Sequence, residues 1–358
     1  MLVTEILKRD SNNLDLVRII LACMVILGHT FVLNGASVDP LNDAAKFTEL
    51  ETPSTLAVKL FFFISGLVVT NSLLKSKSSI SFLTARFFRL MPALTVTLVV
   101  SALVIGPIVT AAPLDMYFSH ENTFIYIFKN LIFDFKASLP WVFENNAQRQ
   151  WVNGTLWTLA HEVSCYLFLL GAFLVFNKQP KFLNWVAAVI ILDSLFPLKY
   201  LFGWMGTDPN IVLLPPVFAF GALFALNAEK INLDLNVLLG FLLAYFTFRG
   251  TPFAHLLFLM FCSVTILFLS SSKPFINLRP KLDISYGVYL WGFVIQQTVY
   301  HYLGNINSGL HFIISVVLAV MVGTLSCIFI EKPFISLGRN LIARRSPTNL
   351  SPVFRSTV

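Results

Sequence analysis

Leu14-Asp15-Leu16-Val17-Arg18-Ile19-Ile20-Leu21-Ala22-Cys23-Met24-Val25-Ile26-Leu27-Gly28-His29 decides the class of this 358-residue chain. The run is apolar enough to cross a bilayer, opens on an arginine and holds a histidine deep within it. Ionisable side chains inside a span are costly, so each needs a partner or a task. At a helical rise of about 1.5 Å per residue, Arg18 and His29 lie roughly 16–17 Å apart along one helix. A cleavable signal peptide does not fit. Asp15 and Arg18 interrupt the head of the run, no A-x-A site follows, and many more apolar runs come after.

The composition agrees. Hydrophobic residues make up 56% of the chain and charged residues 12%, and the mean hydropathy is +0.77. An average soluble domain carries about 25% charged residues, so this is a polytopic membrane protein. The net charge of +7 does not point to nucleic acid, because the basic residues sit in short segments between apolar runs, where they orient helices. Cys23, Cys165, Cys262 and Cys327 all fall within apolar runs and form no C-x-x-C pair, so neither a disulfide framework nor a metal site is expected.

Runs of near-bilayer length begin near Leu14, Thr55, Leu90, Thr155, Phe182, Asn210, Leu233, Pro252, Asp283 and Leu310. They predict an all-α integral membrane bundle of about ten transmembrane helices. Phe124 to Phe135 reads as a shorter interfacial or re-entrant helix within a long loop. With the N-terminus in the cytoplasm, eighteen of the 25 Lys and Arg fall on the inner side; Lys59 is among the seven left outside. Both termini are then cytoplasmic, in a multi-pass protein of the plasma (inner) membrane. Residues 1–335 form the membrane domain, and 336–358 a basic, disordered tail.

This topology assigns depths to the polar residues. His29 comes late in an outward-running helix, and Glu162 comes about seven residues, or ~10 Å, into an inward-running one. At a shared depth they could be a base and its orienting partner for acyl transfer to hydroxyls; equally, they could be two unrelated polar groups in a packed bundle. His161 adjoins Glu162 and cannot share its face. Arg86 and Arg89 do share a face, at the cytoplasmic mouth near Arg18. Guanidinium groups bind phosphates in bidentate fashion, although a basic flank is also what topology alone demands. Three arginines there could grip coenzyme A while its pantetheine arm carries a thioester toward His29. Ser65-Gly66 reads as a small-residue helix contact rather than a nucleophile, and Tyr286, Tyr289 and Trp291 as an aromatic belt. His120 and His311 lie near loops without a signal; His255 and His301 read as interfacial.

Six segments in order resemble the integral-membrane acyltransferase type 3 proteins, which O-acylate cell-surface carbohydrates. They are Leu14-Asp15 with Arg18 and His29; Phe61-Phe62-Phe63-Ile64-Ser65-Gly66; Phe82 to Pro92 with its paired arginines; Leu156-Trp157-Thr158-Leu159-Ala160-His161-Glu162 with Tyr166; Ile284-Ser285-Tyr286-Gly287-Val288-Tyr289-Leu290-Trp291; and Glu331-Lys332-Pro333. The resemblance implies a ten-helix enzyme without a permanently bound cofactor. It would take acetyl or another short acyl group from cytoplasmic acyl-CoA, acetyl-CoA being the expected donor, to a hydroxyl of a lipid-linked glycan or surface polysaccharide. It implies an essential His29, acting as general base or transient acyl carrier, with Arg18, Arg86, Arg89 and Glu162 in the site. Ser65, Trp157, Tyr166, Tyr286, Tyr289 and Glu331 stand in the matching motifs as further site residues. One departure is Gly292, where many members carry histidine: either that histidine is dispensable, or the chain belongs to a subgroup with another donor or acceptor. The rival reading is a proton-coupled transporter or flippase using Arg18, His29 and Glu162 as a relay. The paired broken helices typical of such proteins are not found in the sequence.

Overall fold

The computed structural model describes residues 1–48, 51–195, 201 and 208–345. Among the described residues, the helices that meet the predicted runs are α1 (Leu14–Leu33), α2 (Pro53–Ser76), α3 (Ser79–Val100), α4 (Trp157–Val175), α5 (Pro180–Asp193), α6 (Leu214–Leu226), α7 (Leu235–Thr247), α8 (Phe253–Ser270), α9 (Ser285–Leu303) and α10 (Ser308–Ser326). Each predicted run meets one of them, and no strand is present among the described residues. The helix expected near Leu90 starts eleven residues earlier, because Ser78 caps it by accepting from the Ser81 amide.

Six helical stretches among the described residues are long and apolar enough to cross a membrane: Leu14–Leu33, Pro53–Ser76, Ser79–Val109, Gly154–Val175, Phe253–Ser270 and Ser308–Arg344. The outer face of α10 presents Ile313, Val317 and Met321, each more than half exposed and spaced one turn apart. Such a bare apolar stripe suits lipid, so the chain is a multi-pass membrane protein. The other four helices fall outside this set for visible reasons. α6 and α7 are short; α7 stops where Gly250, at φ +83°, turns the chain into Pro252 and α8. α5 ends at Asp193, beyond which residues 196–200 lie outside the described part. α9 is long, but Gln296 and Gln297 dilute its apolarity, and both are fully buried. A helix wrapped by protein need not be apolar throughout. Gln296 donates to the Ile26 carbonyl at 2.9 Å, and Gln297 to the carbonyls of Gln148 and Trp151.

α1 and α9 run in parallel, with Arg18 beside Asp283, Gly292 against Ile26 and Gln296 against Thr30. This pairing sets two ends of the bundle, an arginine end and a histidine end. α2 and α6 make the closest contact. A Cβ on Gly66 would fall 2.0 Å from the Phe218 carbonyl oxygen, and one on Gly221 2.1 Å from that of Phe63. Glycines facing backbone in both directions let the helices touch, as small residues do in membrane bundles.

The expected interfacial segment is a helix, Glu121–Leu131, whose Phe124 and Phe128 with Ile132 expose one apolar edge. The described part of the expected tail, residues 336–345, is helical. Through a π-helical turn at Cys327–Glu331, α10 continues into a helix at Lys332–Arg345. Apolar residues recur among its arginines: Ile342 is buried, and Gly338 lies against Phe88 of α3. Residues 346–358 lie outside the described part.

The α2–α6 contact yields a stability prediction. Gly66→Ala and Gly221→Ala each force two backbones apart, and overpacking of this kind costs about 1–3 kcal/mol. Thermal unfolding in detergent should show both variants destabilised, whereas Gly240→Ala, with open space around its Cβ position, should unfold like the parent.

Candidate functional site

At the histidine end, α1, α2, α4 and α9 enclose a cavity of about 360 Å³. His29 lines it together with Ser54 and Thr55 at the head of α2, Thr155 and Trp157 at the head of α4, Tyr289 of α9, and Asp208 and Asn210. The imidazole stands edge-on to Phe293 at 5.5 Å, and its Nδ1 lies 2.7 Å from the Val25 carbonyl oxygen one turn back. A carbonyl only accepts, so Nδ1 carries the proton of the neutral ring, and the Nε2 lone pair is left free for a reacting group.

The cavity's far wall is fixed by hydrogen bonds between α4 and α9. Asn153 caps the short turn Gly154–Leu156 that leads into α4, accepting from the Thr155 amide, and donates to the Leu290 carbonyl at 2.8 Å. The Tyr289 hydroxyl donates to the Thr155 carbonyl at 2.9 Å and meets the Thr158 hydroxyl at 2.5 Å. Tyr289 and Trp291 are thus packed inside the bundle, not in an aromatic belt.

Glu162 does not join His29. Its carboxylate accepts from Ser65 at 3.0 Å and from Tyr166, whose oxygens lie 2.8 Å apart, and no hydrogen bond links it to the imidazole among the described residues. Its electrostatic neighbours include Arg86 and Tyr286 of the arginine end and Tyr289 on the wall of the His29 cavity, so it stands between the two ends. The depth inferred from sequence fails for a physical reason. Asn153, Gly154, Thr155 and Leu156 are all buried beneath the loop at 137–153, so α4 starts well inside the protein. One and a half turns from Trp157 then carry Glu162, by about 7–8 Å, away from the cavity.

At the arginine end the three arginines divide. Arg89 pairs with Asp283 at 2.9 Å and with Glu331 at 3.0 Å, its guanidinium 5.6 Å from the centre of the Tyr286 ring. Arg18 approaches Asp283 at 3.5 Å. Tyr286 donates to the Leu90 carbonyl at 3.0 Å, tying α9 to α3. Arg86 forms no ion pair among the described residues, and its buried Nε has no hydrogen-bond partner. It faces the Glu162–Tyr166 pair electrostatically. A polar line therefore runs from the His29 cavity past Glu162, Ser65 and Tyr166 to Arg86.

Sequence reading missed Asp283, Asp208, Asn210 and Lys59. Asp283, two residues ahead of Ser285 at the head of an inner-side run, was the available sign of a carboxylate opposite the arginines. Asp208 and Asn210 gave none. Lys59, counted on the outer side, is 1% exposed within α2 and pairs with Glu51, which also meets His255. Burial raises the Glu51 carboxyl, but His255 and Lys59 outweigh it and hold it at about 2, so a carboxylate balances the buried lysine. His311 is fully buried, its Nε2 3.2 Å from the Gln296 carbonyl oxygen. At Gly292, where the resembling family often has histidine, a Cβ would meet Ile26 at 2.8 Å, so a side chain there must displace α1's own packing.

Comparison with known proteins matches residues 11–332 to an acyltransferase domain. The chain is 26% identical over 344 residues to a protein named O-acetyl transferase from Shigella phage Sf6, covering 91% of this chain and 96% of that one. It is 27% identical over 356 residues to nodulation protein 10 of Rhizobium leguminosarum bv. viciae, covering 93% and 96%. No solved structure matches.

The division of the arginines is testable. Removing one partner of a buried charge pair costs about 3–5 kcal/mol. Arg89→Ala leaves Asp283 with Arg18 alone and strands the 1%-exposed Glu331, and should lower the thermal midpoint and the yield of folded protein. Arg86→Ala should unfold at nearly the parental temperature. Equal destabilisation by both would mean that Arg86 also serves the fold.

Proposed function

The chain belongs to the acyltransferase type 3 family, and on that premise we propose that it is a membrane O-acetyltransferase, moving an acetyl group from acetyl-CoA to a sugar hydroxyl. The carrying observation is His29, whose Nδ1 is committed to the Val25 carbonyl at the wall of a polar, aromatic-lined cavity. The name of the phage relative supports acetyl as the group and oxygen as the acceptor atom. A transporter reading loses its basis in the same comparison, since the family is one of acyl-transferring proteins.

In the proposed reaction His29 Nε2 takes the proton of an acceptor hydroxyl while that oxygen attacks the thioester carbonyl. The carbon–sulfur bond breaks, the imidazolium returns its proton to the departing sulfur, and the products are an ester and free coenzyme A. Trp157 and Tyr289 offer flat faces to a sugar ring, and Asp208, Asn210, Ser54 and Thr55 offer hydroxyl-reading groups. Arg86 binds a phosphate or amide oxygen of the donor, which supplies the partner that its buried Nε lacks. Glu162, with Ser65 and Tyr166, is a positioning residue that holds Arg86 in place. Arg18 flanks the donor mouth, while Arg89 and Glu331 maintain it.

Since acyl-CoA is cytoplasmic, the arginine end faces the cytoplasm. The ten helices then cross the inner membrane with both termini inside, and the acceptor is a lipid-linked glycan or surface polysaccharide on the outer side. Membrane lipids cover the remaining apolar face.

Transfer from labelled acetyl-CoA by purified protein in nanodiscs tests the reading. His29→Ala should abolish ester formation and retain acetyl-CoA binding; near-normal ester would remove His29 from the reaction. Arg86→Ala should weaken acetyl-CoA about ten- to a hundredfold, the worth of a hydrogen bond to a charged group. Glu162→Gln should couple to Arg86→Ala in a double-mutant cycle on that affinity, and not to His29→Ala. Residues in one network deviate from additivity by about 0.5–3 kcal/mol, so strict additivity of Glu162 with Arg86 would sever them.

A further inference from the structure

A second polar cavity, of about 200 Å³, lies in the long loop between α3 and α4, outside the cavity that holds His29. One wall is the Trp141 ring, which His120 meets edge-on at 5.0 Å and 90°. Asn122, Lys136, Ser138 and Gln150 supply the polar lining. His120 Nδ1 accepts from the Asn122 amide at 3.1 Å, so its Nε2 carries the proton and is a donor. Lys136 is engaged by the Asn122 side chain, and Gln150 by Glu144 at 2.8 Å.

The backbone around this cavity is unusual. Trp141 has φ +56°, Phe143 φ +57° and Gln150 φ +61°, a region that side-chain-bearing residues seldom occupy. Non-glycine residues held there gather at ligand clamps, where the surrounding structure enforces the conformation. Here that structure is the Trp141 carbonyl, bonded by the Ala111 amide at 2.8 Å, and the Gln150 amide on the Val142 carbonyl at 2.9 Å.

The cavity belongs to the histidine end. Asn146 of the same loop donates to the Gln297 carbonyl of α9, and Phe143 meets the His301 ring. Five residues separate Gln150 here from Thr155 in the His29 cavity, a reach of at most about 18 Å. Between them Trp151 lies 6.4 Å from Phe293, which in turn touches His29.

The lining selects a ligand. Amides, a hydroxyl and an imidazole N–H around an aromatic face suit a ring bearing many hydroxyls, its C–H face on the indole. An apolar molecule would strand the amides, and a phosphate would find one cation in this lining, Lys136, which the Asn122 side chain already engages. The volume falls below the roughly 300–1,000 Å³ that encloses a drug-sized ligand, so it takes one ring of a longer molecule. We propose that the Trp141 cavity is a distal subsite for one sugar unit of a glycan whose acylated unit occupies the His29 cavity. The proposal rests on the acetyltransferase reading for its acceptor, and it makes that acceptor a chain of linked sugars.

The probes are oligosaccharides of one, two and four repeat units, released from the surface polysaccharide of the cell that makes the protein. Saturation-transfer NMR on nanodisc-embedded parent, His29→Ala, Trp141→Gly and Trp141→Phe reads binding, and acetyl transfer reads KM and kcat. Trp141→Gly removes the ring and keeps a residue at ease with positive φ, which guards against unfolding. It should weaken the longer probes about tenfold, the scale of one aromatic contact, with the loss in KM rather than kcat. Trp141→Phe should stay within about threefold of the parent, since a face remains for the ring. Binding by parent and His29→Ala that vanishes in Trp141→Gly sustains the subsite even if the parent transfers nothing, in which case the acetyltransferase reading falls alone. Transfer whose dependence on probe length is unchanged in Trp141→Gly overturns the subsite and leaves the enzyme standing. Failure of every protein to bind the four-unit probe overturns the subsite too.

Discussion

The Arg89 guanidinium, shared between Asp283 and Glu331, is the constraint on which the rest of the arrangement hangs. A lone cation within a membrane bundle is costly, and so is a lone carboxylate at 1% exposure. Bringing them together joins three elements that the chain keeps far apart: α3, the turn into α9 and the π-helical turn after α10. Such a turn makes room for one extra residue in a helix and often marks a functional position; here it aims Glu331 inward. Once Arg89 is fixed, Arg86 on the same helical face is fixed as well, and it points its unpartnered Nε into the same layer. The paired arginines thus do different things through one helix, the first facing Glu162 and the second anchoring the bundle.

This division explains what the sequence could and could not disclose. Helix positions were legible because apolar length is a one-dimensional property, and every predicted run met a helix. Which runs are apolar enough to cross alone was less so: the run at Asp283 counts as a span in the sequence, yet α9 carries Gln296 and Gln297, which neighbouring protein buries. The Arg86–Arg89 spacing placed two guanidiniums on one face, but not which of them a carboxylate would neutralise. That depended on Asp283, almost two hundred residues away. Residue counting placed Glu162 beside His29 by assuming that α4 begins at the membrane surface. Asn153 and the buried turn after it begin the helix deep inside the fold, and no local pattern of residues announces that. At residues 336–345 the basic composition suggested disorder, while Gly338 and its neighbours had Phe88 of α3 to pack against.

The orientation of His29 carries the chemistry furthest. A base that works on hydroxyls is commonly steered by a carboxylate, which also stabilises the charged imidazolium. Here the steering group is a backbone carbonyl within the same helix, and the nearest carboxylate of the sequence reading is engaged elsewhere. Under the proposed reaction, this leaves the imidazolium with a neutral partner at Nδ1 and the departing sulfur as the natural destination for its proton. The carbonyl fixes the tautomer without supplying a charge that would hold the proton back. In the same proposal Glu162, freed from that duty, serves the cationic donor layer, where a negative charge is of use. On that proposal, separating the two along α4 lets one helix present Trp157 to the acceptor cavity and Glu162 to the donor side. An enzyme whose two substrates arrive from opposite faces of a membrane needs the same separation.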